Sequence, residues 1–145
     1  MADVKIIDID GEQWGIKDET ARDRITVLED SLSTKDLPDA QITMKNGYTC
    51  KSIKISNHYK VGKIHFAIIR IEDLSGDGVG GTRAINIAST DLIPKKLTSF
   101  IVRDYRAPTT ARVSLELDGS ISIGESNGIR NGNNVLIGEI IFAEP

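Results

Sequence analysis

The sequence predicts a mainly β protein: an N-terminal β-hairpin and short coiled-coil helix, followed by an antiparallel, jelly-roll-like β-sandwich. Three observations predict it. Asp10-Gly11 sits between two short apolar runs, as a hairpin turn requires. The apolar residues Ala21, Ile25, Leu28 and Leu32 that follow are spaced four, three and four apart, the rhythm of a coiled-coil seam. Beyond Pro38 the chain becomes a succession of short β-prone runs broken by Gly, Asn and Asp, with no second helical period.

The hairpin follows from turn chemistry. Val4, Ile6, Ile7 and Ile9 lead into Asp10-Gly11, a pair that tolerates positive φ in a two-residue turn, and Trp14 and Ile16 return. Asp18 then stands at an N-cap position, and Glu19 in the first turn meets the positive end of the helix dipole. Within the helix the seam is narrower than the face a helix buries on a globular core, and Val27 lies off it. With Ile25 and Leu32 at a and Ala21 and Leu28 at d, Arg24 falls at g and Glu29 at e, where parallel neighbours could pair them. An isolated helix of about 15 residues is marginal in water, so self-association is the economical reading. A lone helix packed on its own domain is the alternative. Ile at a with Leu at d also suits a dimer, so the seam does not fix the number of copies.

The polar run 33–39 contains Pro38, which cannot continue a helix, and it marks a boundary between a hairpin and stalk in residues 1–36 and a head in residues 37–145. A head of this length suffices for one sandwich. Its strands are expected at 40–45, 48–56, 61–72, 84–88, 98–103, 111–118, 120–126 and 135–143. Residues 64–71 are nearly continuously apolar at Phe66, Ala67, Ile68 and Ile69, which predicts a strand buried on both faces, in part by neighbouring subunits.

Composition narrows the function. The 145 residues carry 18 Lys and Arg against 21 Asp and Glu, with no basic stripe, which argues against nucleic acid as a partner. The lone Cys50 excludes an intrachain disulfide and, in the alternating run YTCKSIKIS, reads as a small buried apolar residue. The opening MADVKIIDID lacks a basic region followed by a long apolar core, so no secretion signal is expected, and no 18-residue apolar run suggests membrane insertion.

No motif with a catalytic mechanism emerges, so the chain reads as a non-enzyme needing no cofactor or metal. GDGVGGT at 76–82 lacks the Lys-Ser/Thr ending of a phosphate loop and reads as a mobile turn. Asp73 and Asp77 are too few for a calcium loop. His58 and His65 have no Cys or His at zinc spacing, which leaves them as solvated or packed side chains. Residues 119–124 have the wrong spacing for a nucleophile elbow, and no pair stands out among Asp91, Glu116, Asp118 and Glu125 for sugar hydrolysis.

Two polar loops are candidate binding surfaces. Residues 103–108 combine Tyr105 and Arg106 with a stiffening proline, and residues 127–134 offer Asn127, Arg130, Asn131 and Asn133. A ring that stacks on an apolar sugar face, beside amides and guanidiniums that reach hydroxyls, is the chemistry of carbohydrate recognition. The plainer reading of the second loop is a hairpin turn made of Asn and Gly.

The same residues carry a resemblance. An apolar strand, a DG turn, WGIKDETARDRI and a short heptad helix resemble the N-terminal element of bacteriophage tail-fibre and receptor-binding proteins, in which an I-K-D-x-x-A-R string joins a small strand to a trimeric stalk. The remainder resembles the globular heads of such fibres: Val61-Gly62-Lys63-Ile64 opening a long strand, then residues 84–87, Leu92-Ile93-Pro94, 111–117, a Gly-turned hairpin at 118–123 and a last strand at 135–142. It departs at Ser89-Thr90-Asp91-Leu92, where such heads carry a second proline beside Pro94. The resemblance implies a homotrimer joined at Ala21, Ile25, Leu28 and Leu32, an N-terminal segment anchored to other virion proteins, a host cell-surface glycan as receptor, and a virion location after synthesis in the bacterial cytoplasm. A trimeric decoration or connector without a receptor is the alternative it implies.

Overall fold

Strand pairing begins at once. In the computed structural model, which describes residues 5–9, 12–16 and 19–145, β1 (Lys5–Ile9) pairs antiparallel with β2 (Glu12–Ile16) and sets Ile9 opposite Glu12. That register is the one a two-residue connection demands. Asp10-Gly11 and the expected N-cap Asp18 lie outside the described residues.

Helix α1 (Glu19–Leu32) follows, and it leaves its apolar residues in water. Val27, Leu28 and Leu32 are 67, 58 and 70% exposed, while Ala21 and Ile25 are half-buried. The helix meets β2, and none of its described side chains joins the core. A helix packed on its own domain would bury Leu28 and Leu32, so that alternative does not describe α1.

One residue after the helix the chain enters the sheet. Residues 34–36, expected to be part of a polar linker, form β3 (Thr34–Asp36), with Thr34 opposite Val61 and Asp36 opposite Tyr59 of β5 (Ser52–Val61). An edge strand whose side chains are all exposed has no apolar alternation to betray it, which is why it reads as linker. The remaining strands are β4 (Ile42–Met44), β6 (Ile64–Glu72), β7 (Ile85–Thr90), β8 (Thr98–Asp104), β9 (Thr110–Leu115), β10 (Ser120–Gly124) and β11 (Val135–Ala143). From β3 onward they form one antiparallel sheet in the order β3-β5-β6-β11-β8-β9-β10-β7-β4. The sheet curls around a single core in which Ile55, Ile69, Ile87, Val113, Ile123 and Leu136 are all sealed from solvent.

The curl needs a close approach where β8 crosses β11. A Cβ built on Gly138 would lie 2.7 Å from Val102 Cγ1 and 2.8 Å from the Ile101 carbonyl oxygen, so only glycine lets the two backbones come this near. Register pairing between β8 and β11 is correspondingly brief, limited to Leu136–Asp104 and Ile137–Arg103.

One expectation about the strands is corrected. Val61-Gly62-Lys63-Ile64 is a hairpin turn rather than the opening of a strand, because Val61 pairs with Ile64 and β5 continues up to it. The apparent break after Ser56 is a bulge, where the register shifts between Ser56 and Tyr59 and Asn57 takes φ 51°. Within the single chain the apolar run 64–71 is buried on one face only, which leaves its other face open to a neighbouring copy. His65, Ala67, Ile69 and Ile71 point inward and are buried, whereas Phe66 and Ile68 on the other face are half-buried and Ile64 is exposed. With Tyr59 stacked on Phe66 at 5.0 Å and Ile141 opposite Phe66, they form an apolar strip on the outside of the sheet. Cys50 is half-buried against the core, and burial pushes its thiol up.

Neighbouring isoleucines on β6 therefore differ in worth. Ile69→Ala should lower the unfolding free energy by about 2–5 kcal/mol in a urea titration, and Ile68→Ala by about 1 kcal/mol. Equal losses would mean that the outer face is covered as fully as the core.

Candidate functional site

Because β6, β8 and β11 alternate in direction, the connections 73–84, 105–109 and 125–134 emerge at one end of the sheet. The helix ends at the other: the Ser31 carbonyl oxygen lies so close to the β5–β6 turn that a Cβ on Gly62 would sit 2.6 Å from it. Along β6, nine residues separate the two ends, about 30 Å. Both candidate binding loops lie at the end away from the helix.

Buried polar side chains organise this end. Asn134, fully buried, accepts the Leu74 N–H at 3.1 Å and donates to the Leu74 and Arg130 carbonyls at 2.9 and 2.7 Å. Asp104, 1% exposed, accepts from the N–H groups of Arg106 at 2.9 Å and Val135 at 3.0 Å through Oδ1. Buried Ser126 accepts the Gly80 N–H at 3.1 Å and donates to the Gly81 carbonyl at 3.1 Å. The glycine-rich run 76–82, expected to be a mobile turn, is thus tied to the β10–β11 loop.

The expected site residues separate into two kinds. Arg106 bonds through Nη1 to Asp73 and, at 3.0 Å, to Asn133 Oδ1, so three loops meet at one guanidinium. Asn131 spends its amide on Gly76, accepting its N–H at 3.1 Å and donating to its carbonyl at 3.2 Å. Tyr105 is anchored by its backbone N–H to the Val135 carbonyl at 2.8 Å while its side chain is 71% exposed. Asn127 and Arg130 are exposed on the neighbouring turn, which buried Ile129 pins. A shallow depression lined by residues 103–108 completes the surface. Chemically, the end offers a phenol ring, two guanidiniums and exposed amides.

Sequence reasoning missed Ser126, weighed Asp73 only as a cation ligand, and took Asp104 and Asn134 only as members of the two candidate loops without their organising role. Only Asp104 had a local signal: Asp-x-Arg lets a carboxylate accept the N–H two residues on, as Asp118 does for Ser120 at 2.9 Å. That N–H holds the Asp118 carboxyl below the usual range, as the Arg70 guanidinium does for Glu72.

The carboxylates considered for sugar hydrolysis divide between the two ends of the sheet. Asp91, Glu116 and Asp118 flank the strand ends on the helix side, where Asp91 accepts the Gln41 N–H, whereas Glu125 reaches Arg112 at the loop end. Among the described residues no three His, Cys, Asp or Glu side chains are grouped to hold a metal, and no helix is long and apolar enough to cross a membrane. Compared with protein-family models and with curated proteins, the chain matches none.

Loop architecture and loop surface should respond differently to substitution. Asn134→Ala strands the buried Leu74 N–H and removes one of two donors from each of the Leu74 and Arg130 carbonyls, which keep the Gly132 and Asn133 N–H groups, and should cost about 2 kcal/mol in chemical denaturation. Arg106→Ala, at an exposed pair, should cost about 1 kcal/mol or less.

Proposed function

We propose that this chain is a non-enzymatic component of a phage or prophage adsorption apparatus: a homotrimeric fibre head, jelly-roll-like in its sandwich, whose loops touch a host cell-surface saccharide. The observation that carries the reading is polarity of layout. A helix with exposed Val27, Leu28 and Leu32 leaves from one end of the sheet, and Tyr105, Arg106, Asn127 and Arg130 crowd the other. An arm that associates at one end, with a recognition surface held away from it, is the layout an adsorption fibre requires.

The apolar seam and the outer strip around Phe66 supply association surfaces. Exposed leucines in a short helix are costly in water and are relieved when copies pack a to a and d to d. The number three and a virion location rest on the resemblance to tail-fibre proteins. N-terminal anchoring to other virion proteins rests on it too.

One observation favours the second reading, a trimeric decoration or connector without a receptor. The Asn131 amide and the Asn133 amide oxygen are engaged in loop-to-loop bonds, which leaves fewer groups for a ligand than the sequence advertises.

Light scattering at micromolar concentration should give a trimer mass, and a monomer mass would refute the assembly. Ile25→Asp places a carboxylate in the seam of every copy and should shift the mass toward monomer, with a cost of several kcal/mol per assembly. Tyr105→Ala with Arg106→Ala should leave mass and Tm nearly unchanged and abolish binding of the labelled protein to bacterial surfaces. Cell binding that survives this pair, or survives stripping of surface glycans, would remove the saccharide site; tight binding to a particle protein without cell binding would favour the connector.

A further inference from the structure

His58 on β5 and His65 on β6 face each other at the helix end of the sheet, and each is only 8% exposed. His58 Nδ1 lies 3.1 Å from the Pro38 carbonyl oxygen, and His58 Nε2 lies 2.8 Å from His65 Nδ1. His65 Nε2 lies 3.0 Å from Glu144 Oε2, and the Lys60 ammonium donates to both Glu144 oxygens at 3.1 and 3.2 Å. The His65 ring stacks on Phe142 with centroids 4.6 Å apart. Hydrogen bonds from His65 and Lys60 hold the Glu144 carboxyl below its usual range, so it is an ionised acceptor at neutral pH.

The row of bonds sets a count of hydrogens. A carbonyl and a carboxylate only accept, so His58 Nδ1 and His65 Nε2 must each carry a hydrogen. Two neutral imidazoles have no more than these two. Their remaining nitrogens would then be lone pairs facing each other at 2.8 Å, where a hydrogen bond needs a third hydrogen. A fourth would set N–H against N–H. A zinc ion does not fit between them, because two imidazole nitrogens on one tetrahedral zinc stand about 3.3 Å apart.

We propose that His58 and His65 share one extra proton as an imidazole–imidazolium pair, and that this proton clasps the segment leading in from the helix to the head. The clasp joins Pro38, which follows β3, to β5, β6 and the residues after β11. Lys60 and Glu144 are the charged side chains bonded into it. On the elements around it, Lys35, Asp36, Asp39, Lys63 and Lys95 are exposed, and Lys63 and Lys95 contribute backbone bonds to Glu144 and Ala143.

The direction of the pH effect follows from the count. In mildly alkaline solution free imidazoles are neutral and carry one hydrogen each, so the unfolded chain holds two imidazole hydrogens where the shared pair holds three. Folding there takes up a proton. Stability therefore falls as pH rises, by up to tenfold in the folding constant per pH unit.

The chain has only these two histidines, so nitrogen-15 NMR of the full-length protein labelled at histidine reads the clasp directly. At pH 7.5 we expect three of the four ring nitrogens to carry hydrogen on average; two protonated and two lone-pair nitrogens would overturn the proposal. As a second measurement, the unfolding midpoint should fall from pH 6.5 to 9 in the native sequence and fall less steeply in His58→Gln, whose amide can donate to His65 without titrating. Parallel curves would overturn it, as would a midpoint raised by zinc alone.

Discussion

A sheet with one apolar face and no helix to cover it must cover itself. That constraint governs this molecule. Helix α1 stays outside the core, so the inward rows of β5, β6, β11, β9 and β10 can escape water only if the sheet bends until they meet. Gly138 is where the bend becomes sterically possible, and the isoleucines at Ile55, Ile69, Ile123 and Ile140 are what it encloses. A core with few aromatic side chains draws its burial from many medium-sized branched residues, which suit the pleated surface.

Curling concentrates the chemistry at the two ends. At the loop end, Asn134, Asp104 and Ser126 replace regular strand pairing with side-chain bonds, so three irregular connections become one rigid surface. At the helix end, two buried histidines and a lysine–glutamate pair do the same for the approach to the sheet. Between them runs an outer face whose polar alternation is broken by Tyr59, Phe66 and Ile141.

What was legible in the sequence was whatever has a short period or a local turn chemistry. The hairpin, the helix and most strands of the head fall near their expected places, because alternation and Asp-Gly signals act within a few residues. β3 was illegible because nothing apolar marks a solvated edge. The bulge at Asn57 disguised the middle of β5 as a loop, and apolar residues on both faces of β6 masked its alternation. At the loop end, Tyr105 and Arg106 were visible as residue types, but Asp73 and Asn133 join Arg106 only through pairings across distant strands. The fate of Asn131, turned back onto Gly76, is likewise a property of the tertiary fold. His58 and His65, seven residues apart, are brought together by a hairpin whose register the bulge resets.

The three residues of β3 also have a mechanical meaning. They are the covalent route between α1 and the sheet, and they lie antiparallel to β5, with Thr34, Lys35 and Asp36 in register with Val61, Lys60 and Tyr59. A pull along the strand axis loads those pairs together in shear, whereas a pull across it opens them one at a time from Thr34. Tension on the helical arm is therefore borne first by a short polar ribbon at the rim, and the sealed interior feels it only after that ribbon has let go.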